Sequence, residues 1–542
     1  MERAVDFVDP MTGHAPFHRD VKSSLPDMIF ITADMVPPGF WREGPLSDIV
    51  HTPNLDSLAS EGVRFENCFA TSPVCAPSRG AYLTGRHSYI TTNNERGHDG
   101  HQFHLRSDDT IFPEYLRAIG YHTRHVGKSH VGTERFLAAF GENDSPWDRW
   151  YPPWYEDEAY IRYLDRMGLE PFEFSRSIVG VHPSGNGDGN FYGGWIASQQ
   201  GQPFPTEATY PWFLAERAID ALQARRKVAP DAPLYLQLDF FAPHQPFAIP
   251  GDMQTREREV RERIRLSDSY QKLKDNAFKP DWSEPRIYTL YRKNWGIYDA
   301  EVAIDYMVAN VLQYEIIDRV VGHVLKHLHE QEAYDETNII YTADHGEMNT
   351  DLGLIDKGAF LNPRVLRVPL YVKPALDSKG AVMSGSCEKL VSLLDIAPTI
   401  LELAGIKPFA RLDGQSLLAT VKGESRPADV PILSEIWSHV LPSPAVSIVF
   451  TANNGENFLF AFNTTDRVSE LYRLQEVDND DAELTNLFLK DDPESTGIRQ
   501  EAISTMESVL SSDERWKGYL SFFRLVFAEH LCDSHWNTQR FS

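Results

Sequence analysis

Short apolar runs of strand length recur along most of the chain, and each one ends in polar or turn-forming residues. Such runs occupy residues 28–33, 234–241, 338–342 and 369–372, and the more polar residues 121–126, second in chain order, also predict a strand. Continuous apolar runs bounded by turn signals are typical of strands buried within a sheet. Residues 210–225 predict a helix, and residues 317–328 place their apolar side chains along one helical stripe. The chain therefore alternates predicted strands and helices.

The C-terminal part of the chain has a different pattern. Residues 445–450 and 458–462 predict two strands joined by a polar turn at Asn453-Asn454-Gly455, and residues 498–527 predict helix. A second copy of the chain could cover this helical tail. The resulting division is an arm at 1–25, a main domain at 26–412 with insertions at about 140–210 and 252–293, a C-terminal subdomain at 413–495, and a helical tail at 496–542.

The first insertion is rich in aromatic residues and ends near a glycine-rich loop at 185–189. Its aromatic residues are Trp147, Trp150, Tyr151, Trp154 and Tyr155. Aromatic side chains of this kind could stack on a sugar or an aryl ring, or they could pack an irregular segment onto the body of the protein. The sequence leaves both interpretations open.

Composition is ordinary for a globular protein, but the charge is not. Of the 542 residues 42% are hydrophobic and 24% are charged, and the formal net charge is −26. A strongly acidic surface repels nucleic acid and anionic membranes, so we expect neither as a partner. If the substrate is an anion, the chain must concentrate positive charge locally in one pocket.

The cysteines and the first residues of the chain bear on its compartment. The four cysteines, Cys68, Cys75, Cys387 and Cys532, are sparse and irregularly spaced, which favours reduced thiols over a disulfide framework. Residues 1–6 lack a signal-peptide pattern, and no segment approaches eighteen apolar residues. We therefore expect a cytoplasmic protein.

Chemically useful residues follow the predicted strands. Asp34 ends the first run, Lys128 and His130 follow the second between glycines, and His244 follows the third between prolines. Ligand sites of open α/β sheets lie at the carboxyl ends of strands. The alternatives are a turn or cap role for Asp34 and a solvated turn for Lys128.

A second set of polar residues follows the fourth run. Asp344 and His345 come directly after it, and Lys357 follows in a loop. Together with Asp34, the first two make a reasonable set of ligands for a divalent cation.

The stretch Cys75-Ala76-Pro77-Ser78-Arg79 predicts a loop that turns into the first turn of a helix. The backbone N–H groups and the positive end of the helix dipole would face the group that Cys75 carries, and Arg79 would add a fixed charge. This arrangement favours a reactive thiolate or an oxyanion site. The alternative is a small buried cysteine that precedes a helix.

The motif C-A-P-S-R at 75–79, followed by L-T-G-R at 83–86, resembles the signature of the formylglycine-dependent sulfatases. This family belongs to the alkaline phosphatase superfamily, and the phosphonate monoester hydrolases are close relatives. Further blocks resemble the family in the same order between about residues 27 and 490. They are G-K-S-H at 127–130, where Ser129 replaces the usual tryptophan, P-H-Q-P-F at 243–247, D-H-G at 344–346, and Lys357. The resemblance implies an α/β fold with a large mixed sheet between helices and a smaller C-terminal antiparallel sheet plus helix.

The resemblance also implies the reaction. A maturation enzyme would oxidise Cys75 to formylglycine, whose hydrate attacks the sulfur of a small anionic substrate, an aryl, alkyl or carbohydrate sulfate ester. One divalent cation, Ca²⁺ or Mn²⁺ with Mg²⁺ and Zn²⁺ as alternatives, would be bound by Asp34, Cys75, Asp344 and His345. Arg79 would hold the hydrate. The residues that meet the sulfate oxygens would be Lys128, His130, His244 and Lys357. One of the histidines or Lys357 would protonate the leaving group, and we favour His244.

Met35 departs from the family pattern, because a second aspartate or a glutamine is usual at this position. A thioether is a poor ligand for Ca²⁺ or Mg²⁺, so we expect no coordination by Met35 to a hard cation. Two rival functions therefore stay open. One is a phosphonate monoester or phosphodiester hydrolase, which Asp344-His345 would suit equally well, and the other is a catalytically silent relative.

Overall fold

The computed structural model describes residues 5–7, 17–19, 25–42, 44–88, 105–106, 109–181, 188–228, 230–279, 284–376, 384–408, 411–424, 430–466, 468–477 and 485–528. The strands are β1 (Val5–Phe7), β2 (Phe17–Arg19), β3 (Asp27–Asp34), β4 (Val63–Phe69), β5 (His122–Lys128), β6 (Glu142–Trp147), β7 (Glu173–Val181), β8 (Asp188–Ala197), β9 (Leu234–Pro243), β10 (Phe247–Ile249), β11 (Thr337–Ala343), β12 (Arg367–Val368), β13 (Leu370–Lys373), β14 (Gly385–Ser392), β15 (Ile406–Pro408), β16 (Ile432–His439), β17 (Leu441–Thr451), β18 (Asn457–Asn463) and β19 (Glu470–Arg473).

The α-helices are named in the same way. They are α1 (Pro53–Glu61), α2 (Cys75–Thr84), α3 (Phe112–Ala118), α4 (Thr133–Ala138), α5 (Glu158–Arg166), α6 (Tyr210–Val228), α7 (Gln254–Arg263), α8 (Asp268–Asp275), α9 (Arg286–Trp295), α10 (Ala300–Glu330), α11 (Pro363–Leu366), α12 (Ile396–Leu403), α13 (Leu418–Val421), α14 (Leu474–Val477), α15 (Pro493–Ser511) and α16 (Lys517–Val526). Short 3₁₀ turns, such as Pro38–Phe40, connect some of them.

A large mixed sheet forms the centre of the molecule. Its strand order is β12-β4-β13-β11-β3-β9-β5-β6, and β14 pairs with β4. The neighbours β11, β3, β9 and β5 run parallel to one another, and β9 is buried along its whole length, as its apolar sequence predicts. Since parallel strands end at the same edge, residues that follow these four strands meet there.

Helices cover both faces of the sheet. The long helix α10 packs on α6, α7 and α1, while α2, α3 and α12 pack on one another. The apolar stripe of α10 is buried, and it joins the side chains of the central strands in one large core. The predicted α/β fold with a large mixed sheet between helices is confirmed.

Three short strands lie in the predicted arm and at the start of the first predicted insertion. Strands β1 and β2 lie within the expected arm, and β2 pairs with β15 of the main domain. The expected insertion at 140–210 begins with β6, which pairs with β5 at the edge of the central sheet. Its sequence, Glu-Asn-Asp-Ser-Pro-Trp, is polar because an edge strand is exposed to water, so its pattern did not reveal a strand.

The C-terminal part forms the second sheet that was predicted. Strands β16, β17, β18 and β19 are antiparallel neighbours. Helices α15 and α16 pack on this sheet, where Ile503 and Met506 meet Phe460 and Phe462 in a separate apolar cluster. The tail therefore covers a face of its own subdomain. Most of the arm, residues 182–187 of the predicted glycine-rich loop, and residues 529–542 with Cys532 lie outside the described residues.

Candidate active site

Four ligand side chains meet at the carboxyl edge of the central sheet, and we call them the ligand cluster. They are Asp34, Cys75, Asp344 and His345, all fully buried, and their ligand atoms lie within 4.8 Å of one another. Asp34 ends β3, and Asp344 follows β11, the parallel neighbour of β3. The neighbouring strands therefore bring together the carboxylates that the sequence separates by about three hundred residues.

Cys75 is the first residue of α2, as the sequence predicted. Its Sγ lies 3.1 Å from His345 Nε2 and 3.8 Å from Asp34 Oδ1. The hydroxyl of Ser78, one turn later, donates to the backbone carbonyl of Asp344 and holds the helix against the end of β11. The helix ends at Gly85, whose φ of 65° is the left-handed conformation that glycine favours.

Arg79 lies behind the ligand cluster and holds its carboxylates. Its Nε donates to Asp344 Oδ2 at 2.9 Å, and its Nη2 donates to Asp34 Oδ2 at 3.1 Å. Its Nη1 donates to the carbonyl of Lys128 and lies 3.5 Å from Asp239. The expectation that Arg79 holds the hydrate at Cys75 stays a prediction, since all of these contacts are to the carboxylates and a carbonyl.

His345 is oriented as a metal ligand should be. Its Nδ1 donates to the carbonyl of Gly346 at 2.9 Å, so its Nε2 faces Cys75 and the two carboxylates. Burial lowers the pKa of His345, but Asp344 and Cys75 outweigh this effect and raise the pKa to about 9. A site that binds a proton this firmly carries excess negative charge, and its donor set fits a divalent cation.

Met35 reaches the rim of the same site. The chain turns immediately after β3, since Met35 has a φ of 64°, and its backbone N–H donates to Asp344 Oδ1 at 3.1 Å. Its Sδ lies 4.0 Å from Lys357 Nζ. The backbone of Met35 therefore contacts the ligand cluster, and its side chain lies beside Lys357.

Three cationic or basic side chains face the ligand cluster, and we call them the basic cluster: Lys128, His244 and Lys357. All three are buried. Lys128 ends β5, and its ammonium donates to Asp34 Oδ2. Gly127 precedes it with a φ of 100°, and a Cβ there would lie 2.1 Å from the carbonyl oxygen of Asp239, so no other residue fits this approach.

His244 and Lys357 form a pair. Nδ1 of His244 carries a proton, because it donates to the carbonyl of Gln245, and Nε2 of the neutral ring accepts from the ammonium of Lys357. Burial and the ammonium of Lys357 lower the pKa of His244 well below its ordinary value. Burial lowers the pKa of Lys357 too, but Asp356, 3.0 Å away, and Cys75 outweigh it and raise the pKa above its ordinary value. Lys357 therefore carries the proton that the pair shares.

The structure brings together eight of the nine predicted site residues through direct contacts. For His130, a buried residue with a φ of 49°, the assignment rests on its position two residues after Lys128. Its role as a ligand of the sulfate group stays a prediction.

Sequence reasoning missed the residues that support the two clusters. The carboxylate of Asp239 on β9 accepts a hydrogen bond from Nε2 of His125 at 3.1 Å and lies 3.5 Å from Nη1 of Arg79. The hydroxyl of Tyr291 donates to the carbonyl of Lys357 at 2.6 Å and accepts from Nδ1 of His439, which ends β16 of the C-terminal sheet. Asp356 had a signal in its position next to Lys357, whereas nothing in the sequence points to His439.

Comparisons with known proteins identify the family of the chain. A sequence model of the sulfatase family matches residues 26–406, and a model described as N-sulphoglucosamine sulphohydrolase, C-terminal, matches residues 350–511. The uncharacterized sulfatase YidJ of Escherichia coli K12 is 26% identical over 408 residues, which cover 73% of this chain and 71% of that protein. The choline-sulfatase of Rhizobium meliloti is 27% identical over 445 residues, with 78% of this chain and 76% of that protein covered.

Solved structures show the same fold. A phosphonate monoester hydrolase from Silicibacter pomeroyi has a TM-score of 0.65 at 18% identity, over 90% of this chain and 95% of that chain. Among the helices that the described residues form, none has the length and apolar character needed to cross a membrane.

Proposed function

The chain belongs to the sulfatase family and is a sulfuric ester hydrolase, and from this premise we propose that it cleaves a sulfate ester to an alcohol and sulfate with formylglycine at position 75 and one divalent cation. The observation that carries the proposal is the contact between Cys75 and a buried set of two carboxylates and one imidazole, opposite three buried basic side chains. Such a pair of opposite charges suits a nucleophile that attacks an anionic group.

Each side chain then has a role that follows from charge. The bound cation would act as a Lewis acid that polarises a sulfate oxygen and lowers the pKa of the nucleophile. Lys128 and Lys357 would neutralise the oxygens on which negative charge grows as the hydrate at position 75 attacks sulfur. Arg79 would keep Asp34 and Asp344 in place while the substrate enters and leaves.

The proton of the leaving group was expected from one of the histidines or from Lys357, with His244 preferred. Nε2 of His244 accepts a hydrogen bond from Lys357 and the pKa of the ring is lowered, which favours Lys357 among these candidates. We therefore assign this proton to Lys357, with His244 as the group that orients it. As the ester oxygen leaves sulfur, it would take a proton from the ammonium.

A substrate panel tests the proposal. The protein should be produced together with a formylglycine-generating maturation enzyme, loaded with Ca²⁺ or Mn²⁺, and assayed with aryl, alkyl and sugar sulfates, a phosphonate monoester and a phosphate diester. We expect the highest kcat/KM for one of the sulfates. A higher kcat/KM for the phosphonate would favour the rival hydrolase, for which the shared fold and the Asp344-His345 pair are the supporting observations.

The same substrate panel tests the alternative that the protein is catalytically silent. Inactivity toward every ester, in protein that carries both the cation and the modified residue, would favour that function. The matched control is Cys68→Ala, which removes another fully buried thiol, on β4, outside the ligand cluster. It should keep full activity, whereas Cys75→Ala should have none.

A further inference from the structure

An exposed tryptophan stands beside the buried basic cluster. Trp150 is 36% exposed, although Lys128 and Lys357 are completely buried and His244 nearly so. Its indole ring lies 5.8 Å from the ring of His244, centroid to centroid, at an interplanar angle of 42°. Its backbone carbonyl accepts from the ammonium of Lys128 at 3.3 Å. One residue thus contacts two groups of the basic cluster and also faces water.

The segment that carries Trp150 is fixed to the site. The N–H of Ser129, next to Lys128, donates to the carbonyl of Trp147 at 3.0 Å, and the N–H of Gly132 donates to the carboxylate of Asp148 at 3.1 Å. These two contacts tie the segment just before Trp150 to the loop that follows β5.

Other aromatic residues near Trp150 pack against or hydrogen-bond to groups outside the basic cluster. Trp154 is buried against Phe172, and the hydroxyl of the exposed Tyr155 donates to the carbonyl of Phe172 at 3.1 Å. Tyr151 is bound by Arg149 through a hydrogen bond of 2.6 Å. Among the aromatic residues of the first insertion named above, Trp147, Trp150, Tyr151, Trp154 and Tyr155, only Trp150 combines an exposed ring with a contact to the basic cluster. A flat aromatic ring that faces water beside a polar site offers an apolar surface on which a planar ligand group can stack.

The orientation that the proposed reaction requires of the substrate predicts a binding role for the ring of Trp150. In the proposed reaction the charged head of an ester contacts the ligand cluster and the basic cluster, so its organic part would extend toward water past the exposed ring of Trp150. We propose that Trp150 binds the leaving group by stacking and makes the enzyme prefer esters with a planar aryl leaving group over small alkyl esters. The inference deepens the proposed function and rests on it for the orientation of the substrate.

The test uses binding, so that it does not depend on turnover. Benzenesulfonate and methanesulfonate share the charged head and cannot be hydrolysed as esters, and their dissociation constants can be measured by calorimetry on the full chain loaded with a divalent cation. We expect Trp150→Ala to weaken benzenesulfonate about tenfold and methanesulfonate less than about twofold, while Trp150→Phe restores most of the loss. The backbone carbonyl that Lys128 contacts is kept in both variants.

Tyr155→Ala is the matched control, since it removes an exposed aromatic side chain from the same segment, and it should change neither constant. In the active enzyme, Trp150→Ala should lower kcat/KM for an aryl sulfate, through KM, more than for an alkyl sulfate. Equal weakening of both sulfonates, or no weakening, would overturn the inference, and so would a wild-type protein that binds neither. Selective weakening in a protein that hydrolyses no sulfate ester would support Trp150 as the aryl-binding residue and refute the proposed reaction.

Discussion

The ligand cluster and the basic cluster are in direct contact through Asp34 and Lys128, yet they are built differently. In the ligand cluster, Asp34 and Asp344 are held from behind by the guanidinium of Arg79, and Asp344 also accepts from backbone N–H groups. In the basic cluster, Lys357 and His244 hold each other, and the loop of Lys357 is tied to the C-terminal sheet through Tyr291.

This difference predicts that the two clusters have different functions. Carboxylates fixed by rigid strands suit a resident cation, which needs the same ligands throughout turnover. Basic groups that satisfy one another in the free enzyme can exchange those contacts for the oxygens of a substrate. The ligand cluster should therefore control metal binding, and the basic cluster should control turnover.

The largest expected effect comes from a substitution that removes one positive charge from the basic cluster and so distinguishes its role from that of the ligand cluster. Lys357→Ala should lower kcat about 10²–10³-fold, because it removes one donor to a developing oxyanion and the proton of the leaving group. Its metal affinity should change little. Lys128→Ala and His244→Ala should act in the same direction, as steady-state kinetics on metal-loaded protein will show.

Lys373→Ala is the control for this variant. Lys373 is buried as well, but its ammonium donates to the carbonyls of Tyr334 and Thr337, away from the site. The variant should melt earlier and keep its kcat. If Lys357→Ala behaves in the same way, Lys357 is a structural residue and the site is misplaced.

The next effect concerns the guanidinium behind the ligand cluster. Arg79→Lys keeps the charge but loses the fork that reaches two carboxylates at once, so metal affinity should fall about 10–100-fold by calorimetric titration. Arg367→Lys changes another buried arginine, on β12, and should leave metal affinity unchanged. Unchanged affinity in Arg79→Lys would show that the strands alone fix the carboxylates.

The third effect is a pH dependence of the ligand cluster. Because the pKa of His345 is raised to about 9 in the metal-free protein, a cation must displace a proton at neutral pH. Metal affinity should then rise about tenfold per pH unit up to about pH 9. Titrations in two buffers with different ionisation enthalpies should detect about one released proton per ion at pH 7.

The raised pKa of His345 also determines how the stability of the metal-free protein changes with pH. A histidine pKa raised above its ordinary value of 6.5 stabilises the metal-free fold fully below pH 6.5, and this contribution is lost as the pH rises through about 9. Melting temperatures of the metal-free protein should fall over that range, and those of His345→Asn should fall less. Metal binding without proton release at pH 7 would contradict this assignment.

The smallest effect tests Met35, which lies between the clusters. Met35→Asp places a hard oxygen ligand at the rim, and aspartate tolerates the positive φ of this position better than methionine does. The affinity for Ca²⁺ relative to Mn²⁺ should rise by about tenfold or less, since a single carboxylate is added to a set that already contains two. Met35→Leu keeps the volume without sulfur and should leave the ratio unchanged. An equal loss of affinity for both ions in Met35→Asp would indicate that the side chain has no access to the cation.

The two clusters also differ in how far the sequence predicts them. The ligand cluster follows from local signals, because Asp34, Asp344 and His345 end apolar runs and parallel strands end at one edge. The support of Lys357 by Tyr291 and His439 depends on the docking of the C-terminal sheet, which no local pattern encodes. The fold was predictable for the same reason where strands are apolar, and it was missed at β6, whose polar edge sequence carries no burial signal.

The chemical state of residue 75 tests the central claim most directly. Protein produced with a maturation enzyme should be digested, and the peptide that contains residue 75 should be weighed while the activity of the same sample is measured. We expect a peptide about 18 Da lighter than the thiol form, in a fraction that rises in proportion to activity. A fully active sample in which Cys75 is an unmodified, completely alkylatable thiol would contradict the account.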